Sequence, residues 1–300
     1  GPQRIATVIG TSTSGISEGE EALLYYKSQN KFPENYHYCM QEPFSPSRYI
    51  SKWLGLRGPA FSVSSACTSG SKALASAARL LRLGVCDAVI AGGVDTLCNM
   101  TIRGFSSLLV TTDSICNPFS VNRNGINIGE GAGLFILTRE PGPVRLAGIG
   151  ETSDAYHISS PHPEGKGAEN AMRQALQQAR MKPESIQYLN LHGTGTEQND
   201  KMEARAVQRV FGNDIACSST KPLTGHTLAA SGAIEAVFCW LALQREDDRL
   251  PPHRWDGQAD LDLPVLTGIT TTKLGKKLTT AMSNSYAFGG NNTSLIMARE

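Results

Sequence analysis

The sequence predicts an α/β fold, and three observations predict it. Short runs rich in Val, Ile, Leu and Ala alternate with longer runs whose apolar residues recur at helical spacing. An Ala-rich helical run follows an apolar strand-like run directly at Cys67. Near the middle of the chain, Glu140-Pro141-Gly142-Pro143 interrupts both periodicities and divides the pattern into residues 1–142 and 143–300.

Residues 4–10 read as the opening strand. The acid- and amide-rich stretch 30–45, with its aromatics, keeps neither period and reads as an irregular excursion. Residues 61–65 form the next apolar run. Residues 69–83 are strong helix formers that stop at Gly84, and residues 88–91 and 133–137 are again strand-like. Past the boundary come a strand at 144–149, a helix at 168–181 that stops before Pro183, and a strand at 186–191. A helix at 200–210, a strand at 215–218, a helix at 228–245 and strands at 279–283 and 294–298 complete the series. No tandem repeat or low-complexity tract is visible.

A chain of 300 residues, 40% hydrophobic and 18% charged, has the composition of a globular protein. At this length it can bury about three quarters of its unfolded surface. With 28 Lys and Arg against 27 Asp and Glu, the net charge of +1 supplies no field for a polyanion, which argues against a nucleic-acid partner. The longest strongly apolar stretch, 236–243, is far short of the roughly 20 residues that cross a bilayer. The opening Gly1-Pro2-Gln3-Arg4 lacks the order of a secretory signal. Seven cysteines, an odd number without a C-x-x-C pair, predict reduced thiols in a cytoplasm and no structural zinc.

Cys67 stands out because it lies between a strand and the start of a helix. There the positive end of the helix dipole and free amides favour thiolate over thiol. A small buried hydrophobe is the alternative reading of this cysteine, and the reading adopted for the other six, expected in strand or helix interiors. His192 ends a strand-like run and opens His192-Gly-Thr194-Gly-Thr196, where glycines let the backbone approach a ligand. His226 closes Ser219-Thr-Lys221-Pro-Leu-Thr-Gly-His226 just before a long apolar helix. Each histidine could be structural, but two glycine-flanked histidines at strand ends have the pattern of a site. Ser283-Asn-Ser-Tyr-Ala-Phe288-Gly289-Gly290 reads as a polar turn, able to aim amides at an oxyanion or serving only as a hairpin. Gly129-Glu-Gly-Ala-Gly133 lacks dinucleotide spacing.

Together these segments resemble the β-ketoacyl-acyl-carrier-protein synthases, condensing enzymes of the thiolase superfamily. The resemblance rests on the ordered set Ser65-Ala-Cys67-Thr-Ser-Gly, Ala91-Gly-Gly-Val-Asp95, Gly129-Glu-Gly-Ala, His192-Gly-Thr-Gly-Thr with Asn199, Asp200 and Glu203, Lys221-Pro-Leu-Thr-Gly-His226 and Asn284-Ser-Tyr-Ala-Phe-Gly-Gly290. It implies a layered αβαβα fold of two similar halves. By the same likeness Cys67 is the acyl-accepting nucleophile and His192 and His226 complete a Cys-His-His site. Lys221 and Glu235 would be the supporting charged pair, with Lys221 near His226 keeping it neutral. The amides of Cys67 and Phe288 would form the oxyanion hole, Phe288 would gate the extender position, and Thr194, Thr196 and Gly289 would contact the substrate arm. Thr13, in the 11–15 loop, is similar to a residue lining the acyl pocket.

The implied reaction is a decarboxylative condensation of the acyl group on Cys67 with malonyl-acyl carrier protein, in fatty-acid or in polyketide or polyene elongation. No cofactor of its own is implied, since the 4'-phosphopantetheine arrives on the acyl carrier protein. A homodimer, or a heterodimer with a related ketosynthase-like subunit, is the implied assembly. Arg48, Lys52 and Arg57 are candidates for carrier docking or ordinary surface charge. A cysteine-dependent thioester hydrolase and a chain-length-determining partner subunit are the alternatives; the first needs one base oriented by a carboxylate, and the second usually lacks the cysteine.

Three departures from the family pattern stand out. Family members carry a further strand and helices before residues 4–10, roughly 90 residues, so a first half lacking a central strand is expected to expose core. Ser120 and Asn124 occupy positions where the family usually has aspartates, which puts the local hydrogen bonding in question. The connection at 141–143 is short. These features suggest a specialised relative over a housekeeping fatty-acid enzyme.

Overall fold

Nine strands and eight α-helices follow one another in the computed structural model, which describes residues 1–300. The first segment contains β1 (Ile5–Gly10), α1 (Ile16–Gln29), α2 (Ser45–Trp53), β2 (Ala60–Val63), α3 (Ser69–Arg82), β3 (Ala88–Asp95), α4 (Asn99–Ser107) and β4 (Gly131–Thr138). The second contains β5 (Val144–Ser153), α5 (Lys166–Ala179), β6 (Tyr188–Asn190), α6 (Glu197–Phe211), β7 (Cys217–Ser218), α7 (Lys221–Thr224), α8 (Ser231–Gln244), β8 (Thr280–Ala287) and β9 (Asn291–Arg299).

All nine expected strands are present, with ends that shift by a few residues. Strands β3, β5 and β8 each run four residues past their expected ends, β8 from residue 283 to Ala287. The polar residues of β8 stay in the sheet because they find partners: Ser294 donates to Asn284 at 2.7 Å, and Ser285 meets Ser71 at 3.0 Å. The expected turn shrinks to Phe288-Gly289-Gly290, with both glycines at positive φ. The helix expected over 228–245 begins with a separate tight turn at Leu228–Ala230, in which Leu228 has φ +51°.

Helices α1, α2 and α4 were not anticipated, and they share a cause. Only Gly19 and Ala22 of α1 and Ser47 of α2 are buried, and α4 buries none. A helix that contributes no apolar stripe to the core is not needed to close it, even where, as in α2, apolar residues recur at helical spacing.

The two sheets have one plan. The first has the order β2-β1-β3-β4, with β1 parallel to β2 and β3, and β4 antiparallel to β3. The second repeats it as β7-β6-β8-β9 with the same senses, then adds β5 antiparallel to β9. Between the sheets lie α3 and α8, whose Ala73, Ala77, Ala236 and Cys239 share one core with Val8 and Val89 of the first sheet and Ala281 and Leu295 of the second. A second core joins α5 and α6 to the other face of the second sheet through Met172, Met202 and Met282. The fold is therefore the layered thiolase-like α/β arrangement. The first sheet has no counterpart of β5, so β4 is an edge, with Leu134 and Ile136 exposed at 46% and 77%. Apolar exposure therefore falls at an edge, not at the central position expected.

Close approach of the middle layer to the first sheet fixes where the helices start. A Cβ on Gly93 of β3 would lie 2.7 Å from the Ala229 carbonyl oxygen, and one on Gly70 of α3 would lie 2.7 Å from the same atom. Gly93→Ala is expected to lower unfolding free energy by about 1–3 kcal/mol through overpacking. Gly104→Ala, in α4 with open space around it, is expected to raise it by about 0.5–1 kcal/mol. Urea denaturation of the two variants checks both signs.

Candidate active site

Backbone geometry between β2 and α3 turns sharply. Ala66 has φ +50°, a conformation rare for a residue with a Cβ, and the turn is held by hydroxyls of its own sequence. Ser69 donates to the Ala66 carbonyl at 2.6 Å and accepts the Ser65 amide at 2.9 Å, while Thr68 donates to the Ser65 carbonyl at 2.8 Å. Cys67 sits at the apex, only 6% exposed.

His226 reaches it from the other half of the chain. Its Nε2 lies 3.1 Å from Cys67 Sγ, and its Nδ1 lies 2.9 Å from Ser231 Oγ on the first turn of α8. The His192 ring stands edge-on to it, with centroids 5.2 Å apart. His192 is held through its backbone: its amide and that of Gly193 donate to the two Glu203 oxygens at 2.8 and 2.7 Å. Asp200 accepts the Phe119 and Gly195 amides at 2.8 and 3.2 Å, fixing the same loop from α6.

Lys221 is buried behind the histidines. Its ammonium donates to Glu235 Oε1 at 2.5 Å and to the His192 carbonyl at 2.5 Å, with His192 Nδ1 at 3.4 Å. A cation facing Nδ1 leaves that nitrogen as the acceptor and puts the ring proton on Nε2. Lys221 was expected beside His226; its contact is with His192, because α7 starts directly against the 192–193 carbonyl edge. Burial first, then the nearby Lys221 charge, holds both imidazoles well below their ordinary 6.5.

The thiol departs from the helix-start expectation. Burial pushes Cys67 up to about 12, with Lys221 opposing and Asp95 and Glu235 adding to the rise. The resting group is therefore a thiol, and desolvation outweighs the helix dipole. Of the other cysteines, only Cys217 and Cys239 lie inside a strand or α-helix; Cys39 is exposed on a short 3₁₀ turn, Tyr38–Met40.

Cys67, His192, His226, Thr194, Thr196 and Phe288 line one cavity of about 370 Å³. One wall is apolar, with Phe105 of α4 and Leu108 and Val110 just after it, and Phe105 stacks on Phe288 at 5.6 Å. The other is polar, with Ser160, Gln198 and Asn199. Thr194 and Thr196 hydroxyls touch at 2.9 Å. Two of the expected residues lie outside this lining. Gly289 already donates its amide to the Ile158 carbonyl at 2.7 Å, and Thr13 is fully buried with its hydroxyl on Asp95 at 3.0 Å, away from the cavity lining. Arg48 and Lys52 on α2, and Arg57 beyond it, also lie outside the lining.

The absent aspartate at 120 is matched by a carboxylate from elsewhere. Ser120 and Asn122 donate to Asp256 at 3.1 and 2.8 Å, and Arg123 pairs with Asp260. Asn124 lines the cavity. Sequence reasoning missed Ser231, Tyr286 and Phe105. Ser231 had a signal, since it follows His226 by five residues at a helix start. Tyr286, whose ring meets His192 edge-on at 5.7 Å, was hidden in a strand read as a turn.

Residues 2–141 match the beta-ketoacyl synthase N-terminal domain and residues 144–254 its C-terminal domain. Nodulation protein E of Rhizobium leguminosarum bv. trifolii is 39% identical over 269 residues, 84% of this chain and 65% of that protein. The 3-oxoacyl-[acyl-carrier-protein] synthase 2 of Staphylococcus aureus is 35% identical over 315 residues, 98% and 76% of the two chains. The structure of the ketosynthase ApeO with its chain length factor ApeC, from Xenorhabdus doucetiae, superposes with a TM-score of 0.94 at 48% identity, covering 100% of this chain and 75% of that one.

Buried neutral histidines link stability to pH. Unfolded His192 gains a proton as pH falls through about 6.5 and folded His192 does not, so its contribution is complete above that pH and lost below it. Glu203, pushed up to about 8 by burial, acts with the opposite sign. It cancels in the difference between wild type and His192→Gln. That difference is expected to fall by up to about 1.4 kcal/mol per pH unit below about pH 6.5, read from urea midpoints.

Proposed function

The chain belongs to the beta-ketoacyl synthase family, and from that footing we propose that it joins an acyl group held on Cys67 to malonyl-acyl carrier protein with loss of carbon dioxide. The observation that carries this reading is a buried thiol 3.1 Å from His226 Nε2, with a second neutral imidazole alongside. The 1–142 and 143–300 segments are taken as the two halves that meet at this site.

Acylation begins with proton transfer from the Cys67 thiol to His226 Nε2. The sulfur attacks the carbonyl of an acyl-carrier thioester, and the carrier thiol leaves with a proton. The amides of Cys67 and Phe288 are the donors for the oxyanion. Malonyl carrier then occupies the cavity with its arm along Thr194 and Thr196. Its carboxylate leaves as carbon dioxide, and the electron pair of the broken bond forms an enolate. His192 supplies Nε2–H to the enolate oxygen. Of the two protons on the His226 imidazolium, the Nδ1 proton leaves through the Ser231 hydroxyl to the departing carrier thiolate; the Nε2–H that remains is the second donor, and Nδ1 then accepts from Ser231. The enolate carbon attacks the acyl-cysteine carbonyl, the carbon–sulfur bond breaks, and the Cys67 thiolate regains a proton.

The hydrolase reading is disfavoured by what stands behind each ring. A hydrolytic base is oriented by a carboxylate, whereas His192 Nδ1 faces an ammonium and His226 Nδ1 a hydroxyl. The partner-subunit reading is disfavoured by Cys67 itself. Higher identity to a chain of the ApeO–ApeC ketosynthase and chain length factor complex, 48%, than to the Staphylococcus synthase 2, 35%, supports elongation in a polyketide- or polyene-type system with a ketosynthase-like second subunit. Tyr49 and Trp53 of α2, exposed at 67% and 74% beside edge strand β2, supply an apolar face for that subunit.

Intact-mass measurement tests the sequence of steps. Acyl carriers of several lengths should leave one acyl adduct, absent in Cys67→Ser, that disappears on adding malonyl carrier as ketoacyl carrier forms. Release of free acid would assign hydrolysis instead. His226→Ala should slow adduct formation by about 10²–10⁴-fold.

A further inference from the structure

A buried carboxylate beneath the site takes no part in these steps. Asp95, at the C-terminal end of β3, is 2% exposed. Its Oδ1 accepts the Thr11 hydroxyl at 2.8 Å, the Ser12 amide at 2.7 Å, the Thr13 amide at 2.9 Å and the Thr13 hydroxyl at 3.0 Å. Its Oδ2 accepts the Ser12 hydroxyl and, at 2.8 Å, the Ala229 amide. The loop it holds is braced further, since Thr13 Oγ1 accepts the Thr96 amide at 3.1 Å and Thr11 Oγ1 the Ser14 amide at 2.9 Å.

The two segments joined here are the footings of the two reacting side chains. β1 ends at Gly10, where a Cβ would lie 2.4 Å from the Ser69 carbonyl carbon, so the Thr11–Thr13 loop leaves β1 against the first turn of the helix that follows Cys67. Ala229 lies in the Leu228–Ala230 turn, three residues after His226 and next to Leu228 with its left-handed backbone. A non-glycine residue keeps that conformation only where its surroundings over-determine it.

We propose that Asp95 is a positioning residue: by bonding the Thr11–Thr13 loop and the Ala229 amide with one carboxylate, it sets the separation of Cys67 and His226. The inference rests on the condensing reaction proposed above. An acceptor-only group is required, because an amide in its place turns N–H bonds toward donors on one side. Asparagine is isosteric, so its best orientation keeps the oxygen on the four-donor side and gives up the Ala229 bond.

Asp95→Asn separates positioning from ionisation. The charged groups acting on Cys67 are Lys221, Asp95 and Glu235, and removing the Asp95 charge makes the thiol easier to ionise. The expected result is a lower pH midpoint for alkylation of Cys67 by iodoacetamide, together with a fall in kcat of about 10-fold or more and KM for malonyl carrier unchanged. A more easily ionised nucleophile that turns over more slowly has lost alignment. Wild-type kcat, or an effect confined to KM, overturns the proposal. If wild type alkylates at Cys67 but does not condense, the reaction assignment fails on its own, and an unmoved alkylation midpoint in Asp95→Asn would separately overturn the role of Asp95. Should Asp95→Asn not fold, Thr11→Val and Thr13→Val keep the charge and remove one donor each; unchanged kcat in both also overturns it.

Discussion

Everything at the centre of this molecule is arranged around one buried ammonium. Lys221 is 1% exposed, and a charge so deep is tolerated only with an opposite charge and a full set of acceptors. Glu235 from α8, the His192 carbonyl and His192 Nδ1 meet that requirement, and they come from different elements of the second half. Removing either ion would strand the other, so the pair locks α7, α8 and the loop after β6 into one arrangement. Burial keeps the histidines neutral and this charge reinforces it, and the tautomer of His192 follows from the charge.

The repeated sheet plan explains why two distant halves can build one site. In each half the strand order and senses are the same, so α3 and α8 occupy matching places between the sheets. The first turn of α3 and strand β3 approach the turn that precedes α8 as closely as glycine permits, at Gly70 and Gly93 against Ala229. Cys67 precedes one of these helices and His226 the other. Side chains at the two starts therefore come within hydrogen-bond distance, although 159 residues separate them in sequence. His192 enters from the end of β6 in the adjoining sheet.

Much of this was legible in the sequence, and the legible parts share a physical basis. Strands buried on both faces keep continuous apolar runs, α3, α5 and α6 show a helical period, and α8 stands out as a long run apolar on nearly every side. The glycine-flanked histidines and the cysteine between strand and helix stood out because the chain changes character at those points. What stayed hidden depended on distance. Thr13 looked like a cavity residue until Asp95, 82 positions away, claimed its hydroxyl. Ser120 looked like a lost charge until Asp256 supplied one. Helices α1, α2 and α4 were not anticipated; they bury almost nothing, and their apolar residues, such as Leu24 and Trp53, are exposed.

The thiol marks the limit of local reasoning. A cysteine at a helix start is expected to ionise easily, because dipole and free amides both favour the anion. Burial reverses that preference here, and the negative charges of Asp95 and Glu235 reinforce the reversal against Lys221. The consequence is a resting centre whose reacting groups are all neutral, next to a fixed ion pair that does not change. A neutral thiol and two neutral imidazoles carry little hydration, so displacing water with an acyl chain costs less than at a thiolate. Charge then develops only when a carbonyl oxygen arrives to receive it, at the point where uncharged N–H donors already face the cavity. A site of this kind stabilises an enolate better than it stabilises its own nucleophile, which suits a reaction whose difficult species is the enolate.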